Sequence, residues 1–188
     1  MNAFAYVNDS QDYEVIDGQV YMMSSPNVNH VRVNGNLHNI FSGYLKGKRC
    51  ESFTEFNVFF DDDNYFIPDE IIVCDPEIVE DDGIHGTPDL VVEIASPSTA
   101  RRDRMEKFKL YEKYGVKEYW IVSPEAKSVE VYLLNNGKLE LDNVYTVYRD
   151  FEWKALTEEQ KAAVKHAIKV SLYDDFEVKL ADIFERVK

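Results

Sequence analysis

The 188-residue chain has only two cysteines, Cys50 and Cys74, and their spacing is not that of a Cys-x-x-Cys metal or redox motif. Read as free buried thiols, they suit a reducing compartment. No stretch approaches the ~18 consecutive apolar residues that a transmembrane helix needs, so no membrane partner is expected. The opening Met1-Asn2-Ala3-Phe4-Ala5-Tyr6 lacks the basic region and apolar run of a signal peptide. A cytoplasmic location is the expectation. Internal repeats, low-complexity tracts and a Pro/Gly-rich linker are all missing. Positive charge is also scarce: Lys and Arg number 21 against 35 Asp and Glu, for a net charge of −14. Affinity for nucleic acid comes largely from cationic contacts to phosphate. The balance therefore excludes a protein that grips nucleic acid with its whole surface, and leaves a local basic patch, a bound cation or a basic partner.

What the chain does have is the material of a core. It is 45% hydrophobic, with 12 Tyr and 11 Phe, which argues for an ordered fold and a single domain over residues 1–188. Tyr13 to Ile16, Asp17-Gly18 and Gln19 to Met23 read as a β-hairpin, because Asp-Gly supplies the positive φ angles of a primed turn. Val31, Leu37, Ile40, Phe41 and Tyr44 recur at helical spacing over Val28 to Leu45, after Pro26-Asn27 as the start and before Gly47 as the stop. Strands are expected over Ser52 to Phe60, Phe66 to Cys74 and Asp89 to Ala95, the last with the apolar density of a buried strand. Ala100 to Tyr114 reads as a helix ended by Gly115. Strands over Glu118 to Val122, Ser128 to Leu134 and Lys138 to Tyr148 follow, the latter two joined by Asn136-Gly137. A capping box at Thr157-Glu158-Glu159-Gln160 opens a helix to about Ile168. A strand near Val170 to Tyr173 and a helix near Leu180 to Val187 finish an α/β order: a mixed β-sheet flanked by helices, with an N-terminal hairpin.

The middle third carries the chemistry. Ile67-Pro68-Asp69 sets a carboxylate at a strand start, and Glu93 lies at the centre of the apolar run Leu90 to Ala95. An ionised group inside a buried strand costs several kcal/mol unless it is paired or metal-bound, so Glu93 needs a partner. Carboxylate oxygens on neighbouring strands suit Mg²⁺ or Mn²⁺. Asp103, Lys107 and Tyr111 follow at i, i+4 and i+8, on one helix face, which lets Lys107 reach back over the strand. The plainer alternative is an Asp103–Lys107 surface ion pair. Other residues have similar choices. His30, at a helix start, is a capping residue or a site residue, and Glu14 is a hairpin surface charge or an extra acid. Asp89, at its strand's entry, reads as solvated. Ser96 and Ser98 read as helix caps, and Asp174, Asp175, Glu177, Asp182 and Glu185 as solvated faces.

Several blocks, in order, carry a resemblance. Tyr13-Glu14-Val15-Ile16-Asp17-Gly18, then Pro68-Asp69, then Thr87-Pro88-Asp89-Leu90-Val91-Val92-Glu93-Ile94-Ala95-Ser96-Pro97-Ser98-Thr99, with Asp103, Lys107 and Tyr111, then Gly115-Val116-Lys117-Glu118-Tyr119-Trp120-Ile121-Val122, resemble the Uma-type family. That family is described as putative restriction endonucleases of the PD-(D/E)XK superfamily, and the similarity covers roughly residues 13 to 135. The resemblance implies a restriction-endonuclease-like fold, with Asp69 and Glu93 as ligands of Mg²⁺ or Mn²⁺ and DNA as the substrate. The superfamily places a lysine two residues after the glutamate; here that residue is Ala95. Lys107 is the candidate for the same amine delivered from the helix. His30, Glu14 and Asp103 are secondary candidates.

The expected function is metal-dependent hydrolysis of DNA phosphodiester bonds, with Asp69, Glu93 and Lys107 as catalytic residues. The rival is a non-catalytic homodimeric interaction protein that keeps the nuclease fold. Ala95 and the charge of −14 favour the rival, and the intact Asp69, Glu93 and Lys107 favour the enzyme.

Overall fold

The structure, a computed structural model, describes residues 12–96 and 99–188. Met1 to Tyr6 and Ser98, on which two of the readings above fall, lie outside the described residues. The chain opens with the expected hairpin, β1 (Tyr13–Ile16) and β2 (Gln19–Met22). Asp17 at φ 48° and Gly18 at φ 74° make the primed turn. Helix α1 (Val28–Leu45) runs over the expected span. Asn27 caps it, accepting from the backbone N–H groups of Asn29 at 2.9 Å and His30 at 3.1 Å, a cap worth about 1 kcal/mol.

The next two expected strands are each broken. Ser52 to Phe60 divides into β3 (Glu51–Thr54) and β4 (Val58–Asp61), with Glu55 at φ 47° between them. Phe66 to Cys74 divides into β5 (Asn64–Phe66) and β6 (Glu70–Val73) at Pro68, whose missing N–H cannot join a ladder. Short β7 (Val79–Glu80) and β8 (Gly83–His85) lead to β9 (Leu90–Ile94). Ala100 to Tyr114 is helical but not uniform: α2 (Ala100–Arg102) passes through a π-helical turn, Asp103–Lys107, into α3 (Phe108–Tyr114). Gly115, at φ 82°, ends it in the left-handed conformation.

After these come β10 (Glu118–Ser123), β11 (Ser128–Asn135) and β12 (Lys138–Thr146), then α4 (Asp150–Ala155), which periodicity did not suggest. The Thr157 capping box opens α5 (Glu158–Ala163), shorter than expected. The chain ends in β13 (Ala167–Lys169), β14 (Glu177–Lys179) and α6 (Leu180–Ile183). The strand expected near Val170 therefore sits a few residues earlier. The five late acids, from Asp174 to Glu185, are exposed as expected.

The expected mixed α/β arrangement is present, with the strands in two large mixed sheets. One has the order β12-β11-β10-β9-β6-β3 and the other β2-β1-β5-β4-β8-β7, with β13 and β14 as a separate pair. Strands β9 and β10 are parallel and β6 and β9 antiparallel. Alternation assigns the two faces of the central sheet. Ile72, Leu90, Val92, Ile94 and Trp120 pack with Val33, Leu37 and Phe41 of α1. Ile71, Val91, Tyr119 and Ile121 pack with Leu110 and Tyr111 of α3 and with Ile16, Val58 and Phe66 of the second sheet. Both faces are covered, which explains the unbroken apolar run of β9.

The cysteines are not free. Glu51 pairs with Val73 across β3 and β6, so the register sets Cys50 and Cys74 directly opposite, at 3.9 Å between Cα atoms, and they form a disulfide. The sequence separation hid this pairing, because two strands that are distant in the chain are neighbours in the sheet.

On β6 the alternation also divides two adjacent acids. Glu70 lies on the α1 face, fully buried, with Oε1 at 3.2 Å from His38 Nδ1 and Oε2 unpartnered among the described residues. Burial, reinforced by the Asp69 charge, pushes its carboxyl up from 4.5 to about 9. The folded chain therefore keeps a proton that the unfolded chain has lost between these two values, and stability falls as pH rises through that window. Glu70→Gln is expected to match the wild type at pH 4 and to exceed it by a few kcal/mol, at most about 5, at pH 8. Urea unfolding at several pH values measures this, and parallel profiles would contradict it.

Candidate active site

Strand pairing brings the two expected carboxylates together. Glu70 pairs with Val92 in the β6–β9 ladder, so the next step of the register sets Asp69 opposite Glu93, and Asp69 Oδ2 accepts the backbone N–H of Ile94 at 2.6 Å. Both line one cleft of about 300 Å³, together with Glu14, His30, Glu55, Arg102, Asp103 and Lys107.

Lys107 arrives from the helix. It is buried, and its Nζ lies 2.6 Å from Glu14 Oε1 and 2.8 Å from Glu93 Oε1. Tyr111 donates to the same Glu93 oxygen at 2.5 Å. An ideal α-helix advances about 100° per residue, so positions i, i+4 and i+8 drift steadily around the axis. The wider π turn over Asp103–Lys107 offsets that drift, and Asp103, Lys107 and Tyr111 are all buried on the inner side. The surface ion pair of Asp103 with Lys107 is thus corrected: both are interior, and the bonds of Lys107 run to Glu14 and Glu93.

Two further readings are corrected. Glu14 is not a surface charge of the hairpin; it is buried, accepts the Ile67 N–H at 3.3 Å and has Arg102 at 3.7 Å. The β1–β5 pairing carries it inward. Asp89 is not solvated; it is buried, accepts the Cys74 N–H at 2.7 Å and pairs with Lys117 at 2.6 Å. Its role is to brace the sheet, and it is not among the residues lining the cleft. Ser96 Oγ accepts the Thr99 N–H at 3.3 Å, in the turn ahead of α2, whose cap residue is Thr99 and not Ser96.

At the mouth, His30 Nε2 lies 2.7 Å from Asp69 Oδ1. Burial alone would lower the His30 imidazole, but the Asp69 bond and charge outweigh it and hold it above its usual value. Glu55 joins these two: one donor atom each from His30, Glu55 and Asp69 lies within 4.8 Å of the others. Sequence reasoning missed Glu55, because it reads as a mid-strand residue. Its left-handed backbone breaks the strand there, and a non-glycine residue at positive φ leaves no mark in the hydrophobic pattern.

The electrostatics are those of crowded acids around one cation. Burial pushes Glu93 and Asp103 upward, and the Lys107 charge offsets this only in part. Burial works against the Lys107 ammonium, but the charges of Glu14, Glu93 and Asp103 outweigh it and hold it protonated. Oxygen donors of this kind, with one His nitrogen, fit a divalent cation, which would relieve the repulsion among the carboxylates.

Comparison with known proteins places the family and the fold. Residues 2–163 match the profile of the Uma2 family, described as "putative restriction endonuclease". A Synechocystis protein, the uncharacterised slr1290, is 32% identical over 129 residues, covering 67% of this chain and 68% of that one. The crystal structure of an Anabaena variabilis protein, described as a putative nuclease belonging to DUF820, superposes with a TM-score of 0.67 at 18% identity. The match covers 94% of this chain and 91% of that one. At that identity it shows the fold.

Proposed function

Because the chain belongs to the Uma2 family, we propose that it is a divalent-cation-dependent nuclease that hydrolyses DNA phosphodiester bonds in this cleft. The observation that carries the reading is the meeting of Asp69, just ahead of β6, Glu93 of β9 and Lys107 of the helix in one cleft. In this reading Asp69 and Glu93 hold Mg²⁺ or Mn²⁺. The bonds of Lys107 and Tyr111 both fall on Glu93 Oε1, so neither occupies Oε2, which would be the oxygen available to a cation. When bound, the ion supplies charge neutralisation at the phosphate and a lowered pKa for water.

The protein's own groups do the rest. Lys107 orients the attacking water and stabilises charge developing on the phosphate oxygens. Tyr111 fixes the Glu93 carboxylate and Glu14 fixes the Lys107 ammonium in position. Arg102, at the cleft wall, adds to the positive charge of Lys107 in a chain of net −14. The absence of a lysine at Ala95 then has a physical counterpart, since the ammonium of Lys107 reaches Glu93 from the helix.

The expected result is nicking of supercoiled plasmid or of single-stranded DNA with Mg²⁺ or Mn²⁺, abolished by chelator. Glu93→Gln is expected to lower the rate on the order of 10²–10³-fold. A second reading, a non-catalytic homodimer that keeps the fold, is favoured by one observation: Lys107 is already engaged by two carboxylates. Absence of cutting by the wild type under all these conditions would leave that second reading.

A further inference from the structure

Asp69 has two neighbours with no part in the reaction outlined above. His30 comes from the first turn of α1, held by the Asn27 cap. Glu55 comes from the break between β3 and β4, where it is exposed and accepts a long bond from Asn34 Nδ2 at 3.5 Å. Their donor atoms and an Asp69 oxygen lie within 4.8 Å of one another. Around an octahedral ion with bonds of 2.0–2.1 Å, adjacent ligand atoms lie about 3 Å apart, and His30 Nε2 and Asp69 Oδ1 are already at 2.7 Å. A second observation points to a ligand. Asp103, which lines the same cleft and is buried, has an Oδ2 with no hydrogen-bond partner among the described residues. A buried carboxylate oxygen left bare is costly, and a water carried by an ion in the cleft would satisfy it.

We propose that His30, Glu55 and Asp69 form a mixed nitrogen–oxygen site, so that the cleft selects a first-row transition-metal dication over Mg²⁺. The chemistry of the donors sets the preference: imidazole suits transition metals, whereas Mg²⁺ is held by oxygen and water. This rests on the nuclease reading only in taking the cleft as the place of reaction, and Asp69 serves both. His30 would bind through its Nε2 lone pair as the neutral imidazole, so the proton that Asp69 favours on the ring is released to solvent as the ion binds. The contact that His30 now makes to Asp69 is replaced by two contacts to one ion.

The test is calorimetric titration of Co²⁺, Mn²⁺ and Mg²⁺ into the wild-type chain, His30→Gln and Glu55→Gln, with melting curves showing that each variant folds. The wild type is expected to bind Co²⁺ at least about 10-fold more tightly than Mg²⁺. His30→Gln is expected to weaken Co²⁺ on the order of 10²-fold, since losing even a supporting partner of a metal ligand costs 10–100-fold. Mg²⁺ binding in that variant should change about 3-fold or less, because Mg²⁺ gains little from imidazole. Glu55→Gln should weaken Co²⁺ as well. Pulsed electron spin resonance of Mn²⁺ bound to the wild type supplies a readout that needs no variant: coupling to a histidine nitrogen is expected. Lack of that coupling, or a Co²⁺ to Mg²⁺ ratio unchanged in His30→Gln, overturns the proposal. Cleavage with Mg²⁺ that persists in His30→Gln with an unchanged metal preference would sink this site alone. Nitrogen-ligated Co²⁺ without any cleavage would instead sink the nuclease reading.

Discussion

Lys107→Met is expected to cost about 3–5 kcal/mol of stability, the usual penalty for removing one partner of a buried charge pair. The lysine is buried between Glu14 and Glu93, so methionine fills the volume and leaves two carboxyl groups facing each other without a cation. Denaturant unfolding at neutral pH measures the loss. The penalty should shrink at low pH, where both carboxyl groups take up protons and no longer repel. At temperatures where the variant is still folded, cleavage should fall on the order of 10²–10³-fold. A variant as stable as the wild type would show that Lys107 is not the hub of the cluster. A stable variant that also cuts normally would remove it from the site altogether.

That hub was partly legible in the sequence. Glu93 stood out because a charge within Leu90 to Ala95 conflicts with burial, and Lys107 because helical spacing brings it back over the strand. The hairpin, with its Asp17-Gly18 turn, and α1, with its Asn27 cap, were legible because turn and cap chemistry is local. The π turn at Asp103–Lys107 was not legible: it shifts hydrogen bonds without altering the residue pattern. Glu14 was ambiguous because its burial depends on β1 pairing with β5, about 50 residues away in the chain, with Val15 opposite Tyr65. Glu55 was invisible for the same kind of reason, since only the folded sheets bring the β3–β4 break beside Asp69. The disulfide and the division into two sheets also depend on long-range pairing, which one sequence does not encode in any local period.

Asp69→Asn is expected to have the second large effect, on cation binding rather than on the fold. In the wild type, a dication at 100 times its Kd stabilises the native state by about 2.7 kcal/mol, which raises the melting temperature by several degrees in a chain of this size. Asparagine keeps an oxygen for the Ile94 N–H and removes one negative charge from a crowded cleft. The metal-free variant should therefore be as stable as the wild type or more so, with the cation-dependent shift gone. Melting curves with and without Mn²⁺ decide this, and an undiminished shift in Asp69→Asn would rule out that carboxylate as a ligand.

The most direct test of a cation-dependent nuclease centre on Asp69, Glu93 and Lys107 is single-turnover cleavage of end-labelled DNA across a Mn²⁺ titration, in wild type and Asp69→Asn. The wild-type rate is expected to rise to a plateau with Mn²⁺, and Asp69→Asn to stay at least about 10²–10³-fold lower at every concentration. Equal rates for the two proteins, or wild-type cleavage indifferent to Mn²⁺ and to chelator, would contradict it.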